Sequence, residues 1–221
     1  MKIVILAGGP ALAYDTLIPD DTGRDTYFIG VDRGAYRLMT AGFPLHLAIG
    51  DFDSLSDQAF AEVASYALEV RRAPAEKDDT DLELALMAVK DRWAEAQEII
   101  ILGGLGGRFD HEIQIFYLIL QARFADLVDK IRLVDRQNVI RFVSAGSHLI
   151  RKRAGMTYLA FASLTPVRDF SINNAKYSLE STNFPSNFSL SSNEFVADQP
   201  VSLAFTQGIV AIIQSKDDLP I

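Results

Sequence analysis

The chain has no cysteine among its 221 residues. Disulfides, cysteine-ligated zinc and a thiol nucleophile are thereby excluded, and the composition is compatible with a reducing compartment. Its three histidines, His46, His111 and His148, make no metal-ligand spacing. Basic residues are not in excess. Lys and Arg number 21 against 29 Asp and Glu, a formal net charge of −8, so no basic field draws in nucleic acid. Long apolar runs are missing too. The N-terminal Met1-Lys2-Ile3-Val4-Ile5-Leu6 gives way to Gly8-Gly9-Pro10 too soon for a signal peptide or a membrane span, and the expected location is the cytoplasm. No Gly-x-Ser-x-Gly elbow, P-loop lysine ending, internal repeat or coiled-coil heptad occurs.

What is present divides into two halves. Apolar residues make up 49% of the chain, enough to bury a core, and charged residues an ordinary 23%. The first half alternates short apolar runs (3–7, 27–31, 47–49, 98–102) and a weak strand over 69–72 with helical patterns, the signature of βα units around a parallel sheet. One helix carries Leu82, Leu86, Val89 and Trp93 as a core-facing stripe, opened by a Thr80/Glu83 capping box. Another repeats Phe109, Ile113, Phe116, Leu120, Phe124 and Leu127, with Ile115, Leu118 and Ile119 off that stripe. A helix so apolar is expected to be buried on more than one side, inside the domain or against another subunit. After about residue 128 the segments are short, β-branched and aromatic, and separated by turn residues, which suggests an antiparallel sandwich or barrel. The expected fold class is α/β, with a Rossmann-like parallel-sheet domain over 1–128 and an antiparallel β domain over 129–221. Residues 11–25 are irregular and take no assignment.

Each expected strand of the first half runs into a polar or glycine-rich segment: Gly8-Gly9, Asp32-Arg33-Gly34, Asp51 to Asp53, Lys77 to Asp81, and Gly103 to Asp110. In an open parallel sheet all such segments emerge at one rim, where ligands bind. That rim would gather Asp32, Asp51, Asp53, Asp78, Asp81 and Asp110 with Arg33, Lys77 and Arg108. So many carboxylates repel one another unless cations intervene, and magnesium with a polyphosphate resolves the conflict. Asp51 and Asp53, two apart in an extended segment, would grip one ion from the same side. Gly103 to Gly107 leads into a helix, so its amides can cradle phosphate oxygens, or else form a flexible connection. Asp81 in a first helical turn is equally a capping aspartate, Arg108 and Asp110 equally a surface ion pair, and Lys77 equally a solvated lysine. His111 stands at a helix start, within reach of a ligand or in a structural role.

With these segments in place the chain resembles thiamine pyrophosphokinase. The resemblance rests on Val31-Asp32-Arg33-Gly34-Ala35, Gly50-Asp51-Phe52-Asp53-Ser54, Lys77-Asp78-Asp79-Thr80-Asp81 and Gly103 to His111, in the family's order and spacing. Lys176 to Leu179 and Ser191 to Glu194 are similar, more loosely, to its thiamine-side segments. It implies an α/β domain that binds ATP, a C-terminal β-sandwich that binds thiamine, and a homodimer with each active site between the α/β domain of one subunit and the sandwich of the other. The implied reaction moves the pyrophosphoryl group of ATP to the thiamine hydroxyl, giving AMP and thiamine diphosphate. Asp51, Asp53 and Asp81 would hold Mg2+. Arg108 would stabilise phosphate charge, and Asp32 or Asp110 would orient the hydroxyl or take its proton. Gly8, Gly9, Lys77, Asp78, Thr80, Gly104, Gly106, Gly107 and His111 would meet the nucleotide, and Tyr177, Ser192 and Asn193 the thiamine. Arg33 departs from the small residue common in the family, and Trp93, the one tryptophan, lies in the α/β half, leaving Tyr177 as the aromatic wall. The alternatives are an Asp-x-Asp metal-dependent nucleotidyl- or glycosyltransferase and a non-catalytic thiamine or nucleotide sensor.

Overall fold

The structure, a computed structural model, describes residues 1–10, 14–18, 25–74, 76–197 and 199–217. Two compact units divide the chain: one comprises residues 1–119 and 130–136, the other 120–129 and 137–221. The expectation placed one division near residue 128. The units instead interleave there, because β6 (Ile131–Val134) pairs in parallel with β5 and so joins the first unit.

The first unit is built on six parallel strands in the order β6-β5-β1-β2-β3-β4. They are β1 (Lys2–Leu6), β2 (Thr26–Val31), β3 (Leu47–Gly50), β4 (Val70–Arg72), β5 (Glu98–Leu102) and β6. β1, β2, β3 and β5 are almost wholly buried, as continuous apolar runs in a covered parallel sheet must be. The helices are α1 (Tyr14–Leu17), α2 (Arg33–Thr40), α3 (Asp57–Tyr66), α4 (Asp81–Arg92) and α5 (Phe109–Tyr117). Two of them begin where side chains satisfy free amides. Ser56 Oγ accepts from the Ala59 N–H at 3.2 Å, and Thr80 and Glu83 form the expected reciprocal capping box. α5 departs from expectation. It ends at Tyr117, and 3-10 turns over Leu118–Leu120 and Ala122–Lys130 replace its continuation. The tighter winding turns Leu118, Ile119, Phe124 and Leu127 inward, while Phe109 and Ile113 stay exposed, at 74% and 42%. The buried face of α5 is the one carrying Ile115, off the expected stripe.

The second unit is antiparallel. β7 (Asn138–Ile150) and β12 (Val201–Ser215) pair along their whole length. Gly146 and Gly208 resemble strand breaks in the sequence, yet the pairing runs through them as a bulge between Phe205 and Ile209. The other edge of β12 meets β9 (Val167–Asn173) along its first half and β8 (Tyr158–Ser163) along its second. β10 (Leu179–Phe184) extends β9 and β11 (Ser189–Glu194) extends β8. Both branches pack on one core of Phe161, Phe170, Leu203, Phe205 and Ile212, which makes the unit a sandwich. Phe170 lies at its centre, with the rings of Phe161, Phe188 and Phe205 at 5.0–6.2 Å.

Candidate active site

In the first unit the strand order reverses between β1 and β5, the place where open α/β sheets bind ligands. The two following loops touch there: a Cβ on Gly9 would lie 2.3 Å from the Gly103 carbonyl oxygen, so only glycine fits. Together with the loops after β2 and β3 and the segment before α4, they line a cleft of about 850 Å³. Gly8, Gly9, Asp32, Asp51, Asp53, Lys77, Thr80, Asp81, Gly104, Gly107, Arg108 and His111 all line it. Asp78, Gly106 and Asp110 do not; Asp79 does.

Three carboxylates converge. One oxygen from each of Asp32, Asp51 and Asp81 lies within 4.8 Å of the other two. Asp32 occupies the N-cap position of α2, where an aspartate usually caps, but makes no capping bond. Its φ of 48° turns it away from that role, and Oδ1 instead accepts the Phe52 N–H at 3.3 Å. Asp53 stands outside the group because β3 has already ended at Gly50. Phe52, at φ 60°, breaks the alternation that would align residues two apart, and the Asp53 N–H turns back to Asp51 Oδ1 at 3.0 Å.

The electrostatics suit a cation. Burial, then Asp81 and Asp51, push the Asp32 carboxyl up to about 7, against the opposing Phe52 N–H. The Lys77 ammonium lies 2.9 Å from Asp81 Oδ1 and 3.8 Å from Asp51 Oδ2. Burial opposes its charge, but Asp81, Asp51 and Asp32 outweigh that and hold its pKa above the ordinary lysine value. Asp81 Oδ1 is nevertheless buried and, apart from that ion pair, has no hydrogen-bond partner. An orphaned carboxylate oxygen beside two more carboxylates is a donor set for one hard divalent ion.

The flanks differ. Arg108 and Asp110 form an exposed ion pair at 2.6 Å, which raises the arginine and holds the Asp110 carboxyl below its usual range. Glu112 Oε1 accepts the Gly107 N–H at 2.8 Å. The Thr80 hydroxyl donates to Glu83 at 2.8 Å and accepts from Gln114 at 3.2 Å, so it is already engaged. Arg37 on α2 donates to the Gly9 carbonyl from behind the loop; burial, then Arg33, lower its pKa.

Family models match both halves of the chain: "Thiamin pyrophosphokinase, catalytic domain" over residues 22–130 and "Thiamin pyrophosphokinase, vitamin B1 binding domain" over 147–210. Thiamine pyrophosphokinase of Bacillus subtilis is 34% identical over 98% of this chain and its own full length. The chain belongs to the thiamin pyrophosphokinase family. Its enzymes are transferases that make thiamine diphosphate, and neither alternative drawn from the sequence is favoured. Among solved structures, a thiamin pyrophosphokinase family protein from Enterococcus faecalis superposes with a TM-score of 0.88 at 38% identity, covering 99% of this chain and all of that one. Thiamin pyrophosphokinase from Geobacillus thermodenitrificans does so at 0.83 and 31%, with full coverage of both chains.

In the half matched by the vitamin B1 binding model, Tyr177 is 59% exposed and Ser192 is also exposed, at φ 60°. Asn193 is 3% exposed, and its amide is bonded within the chain. Sequence reasoning passed over Asp79, Glu112 and Gln114 as members of the thiamin pyrophosphokinase cleft. Asp79 lay inside a segment already singled out. Glu112 and Gln114 sit on α5 and reach the cleft only through the packing of that helix, which no local pattern reports.

Proposed function

We propose that this chain transfers the β,γ-pyrophosphoryl group of ATP to the hydroxyl of thiamine, releasing AMP. The observation that carries the reading is the Asp32, Asp51 and Asp81 cluster with its orphaned Asp81 oxygen, set beside the two glycine loops. Those three carboxylates, with Asp53 adjacent, would hold Mg2+. Bound there, the ion offsets negative charge on the transferring phosphates. The glycine loops after β1 and β5 give the triphosphate chain room and backbone amides, and Lys77 and Arg108 bring positive charge to it. The thiamine oxygen bonds to the β-phosphorus as the bond from that phosphorus to the α-phosphate oxygen breaks. Asp32 is better placed than Asp110 to orient the thiamine hydroxyl. It lines the cleft, whereas Asp110 lies outside the lining and is paired with Arg108. Tyr177 offers an exposed aromatic face to the positively charged thiamine, and Ser192 precedes Asn193, whose amide bonds the Tyr177 backbone.

The same reading makes the enzyme a cytoplasmic homodimer in which the sandwich of one copy serves the cleft of the other. The exposed Phe109, Ile113 and Tyr117 on α5, next to the cleft residues Arg108 and His111, support it. The test is to incubate the protein with thiamine, ATP and magnesium. AMP and thiamine diphosphate should appear in equal amounts. Free pyrophosphate would mean nucleotidyl transfer, and binding without turnover a sensor.

Two further results are expected. The Asp32 carboxyl is protonated in the folded, metal-free protein until about pH 7, but ionised in the unfolded chain above about pH 4. Folding therefore takes up a proton between those values. The resulting stability is complete below pH 4 and disappears as pH rises through 7. The metal-free melting temperature should fall across that window, and magnesium should raise it more at pH 8 than at pH 5.5. Asp32→Asn should flatten both trends; an unchanged pH profile would refute the assignment. Arg37→Met should slacken the Gly9 loop and raise KM for ATP roughly tenfold with little change in kcat, since it removes a support and no reacting group. Steady-state kinetics with varied ATP checks this.

A further inference from the structure

Asn193 is 3% exposed, in a strand whose preceding residues Ser191 and Ser192 are open to solvent. A register shift between Leu190 and Asn193, with Ser192 at φ 60°, turns its side chain inward. Oδ1 accepts the N–H groups of Tyr177 and Glu194, both at 2.9 Å, and Nδ2 donates to the Tyr177 carbonyl at 2.8 Å. One side chain thus satisfies both main-chain polar groups of Tyr177. Three of the four hydrogen bonds an amide can form are spent. The surroundings fasten the same segment. Ala175 bridges to Phe195, the Lys176 N–H reaches the Glu194 carbonyl at 3.0 Å, and Lys176 Nζ meets Glu194 Oε1 at 2.5 Å. The Tyr177 ring itself is 59% exposed, with the Lys176 ammonium over one of its faces, 5.6 Å from the centroid, and its hydroxyl makes no hydrogen bond among the described residues.

We propose that Asn193 is a positioning residue: it holds the backbone of Tyr177 so that the ring presents a fixed face to thiamine, and it touches no substrate itself. This rests on the reading of Tyr177 as the aromatic wall. A direct contact with thiamine would require the amide to leave a buried site and abandon two Tyr177 groups and one Glu194 group, each costly to strand. A preorganised aromatic face, by contrast, loses its value when the backbone beneath it is free to move.

The experiment is a double-mutant cycle on the full chain, with thiamine and ATP varied separately. Tyr177→Ala and Asn193→Ala should each raise KM for thiamine roughly tenfold, the worth of one cation–aromatic contact, and leave KM for ATP and kcat within about twofold. In the Tyr177→Ala background, Asn193→Ala should add nothing, because the face it supports is gone. Asn193→Asp, which keeps the acceptor and loses the donor to the Tyr177 carbonyl, should give the same coupling if the alanine variant does not fold. Independent, multiplying effects of the two residues would mean that Asn193 contacts substrate, and would overturn the proposal. So would an unchanged KM for thiamine in Tyr177→Ala. In that case continued turnover of thiamine by the unaltered protein would keep the proposed reaction and discard only the wall.

Discussion

Asp81→Asn is expected to lower AMP release roughly a thousandfold, about 4 kcal/mol of transition-state stabilisation, without loss of fold. Asp81 contributes a buried oxygen of the carboxylate cluster, so its loss would take away a proposed magnesium ligand and the ion pair with Lys77. Its removal also takes away a charge that raises the Asp32 pKa. Relief of that repulsion works in the folded state's favour. The lost negative charge in the first turn of α4 works against it by about 0.3–1 kcal/mol. The metal-free variant should therefore melt close to the unaltered protein, while magnesium should no longer raise its melting temperature. Asp51→Asn should behave alike. Thermal melts with and without magnesium, beside AMP release, separate the two effects; full activity in either variant would remove the metal assignment.

Gly50→Ala is expected to cost about 2–4 kcal/mol of stability and roughly a hundredfold in activity. Two separate penalties meet at this residue. Its φ of 147° lies where side chains are strained, and a Cβ there would come within 1.9 Å of Asp32 Oδ1. Gly50 ends β3 and is followed at once by Asp51, so the displaced groups are two of the three carboxylates. The penalties are separable. In an Asp32→Ala background the overlap disappears, and Gly50→Ala should then cost only its backbone share, about 1–3 kcal/mol. Denaturant melts of the four proteins in that cycle measure the difference, and equal costs in both backgrounds would show that Asp32 does not press on Gly50.

Much of the first unit was legible because its signals are short-ranged. Apolar runs of three to five residues, the capping box at Thr80 and the glycine pairs after two strands each declare themselves within a few positions. The α5 region was harder. Its apolar residues fit one helical stripe, but the chain winds as 3-10 turns beyond Tyr117 and buries only Phe124 and Leu127 of that stripe, with Ile115, Leu118 and Ile119 from off it. Hydrophobic period identifies a helix; which of several apolar faces turns inward depends on the packing it meets. The second unit shows local propensity overridden. Glycines at 146 and 208 look like ends of strands, yet β7 and β12 pair through them, because cross-strand partners hold a bulge that local propensity disfavours.

The sequence by itself determined that carboxylates and glycine loops follow successive strands of a parallel sheet, and hence that they share one rim. Strand direction and chain order suffice for that. Only the tertiary structure decided which carboxylates meet. Asp51 and Asp53 are neighbours in the chain, but the chain turns at Phe52, and the third partner is Asp32, held through the Phe52 amide against a glycine with no room for a side chain. Likewise Asn193 resembles a ligand contact in the sequence, and its burial makes it a brace for Tyr177. Residue type and order assign groups to a region, whereas distances of 3–5 Å are set by contacts between segments far apart in the chain, which no local pattern encodes.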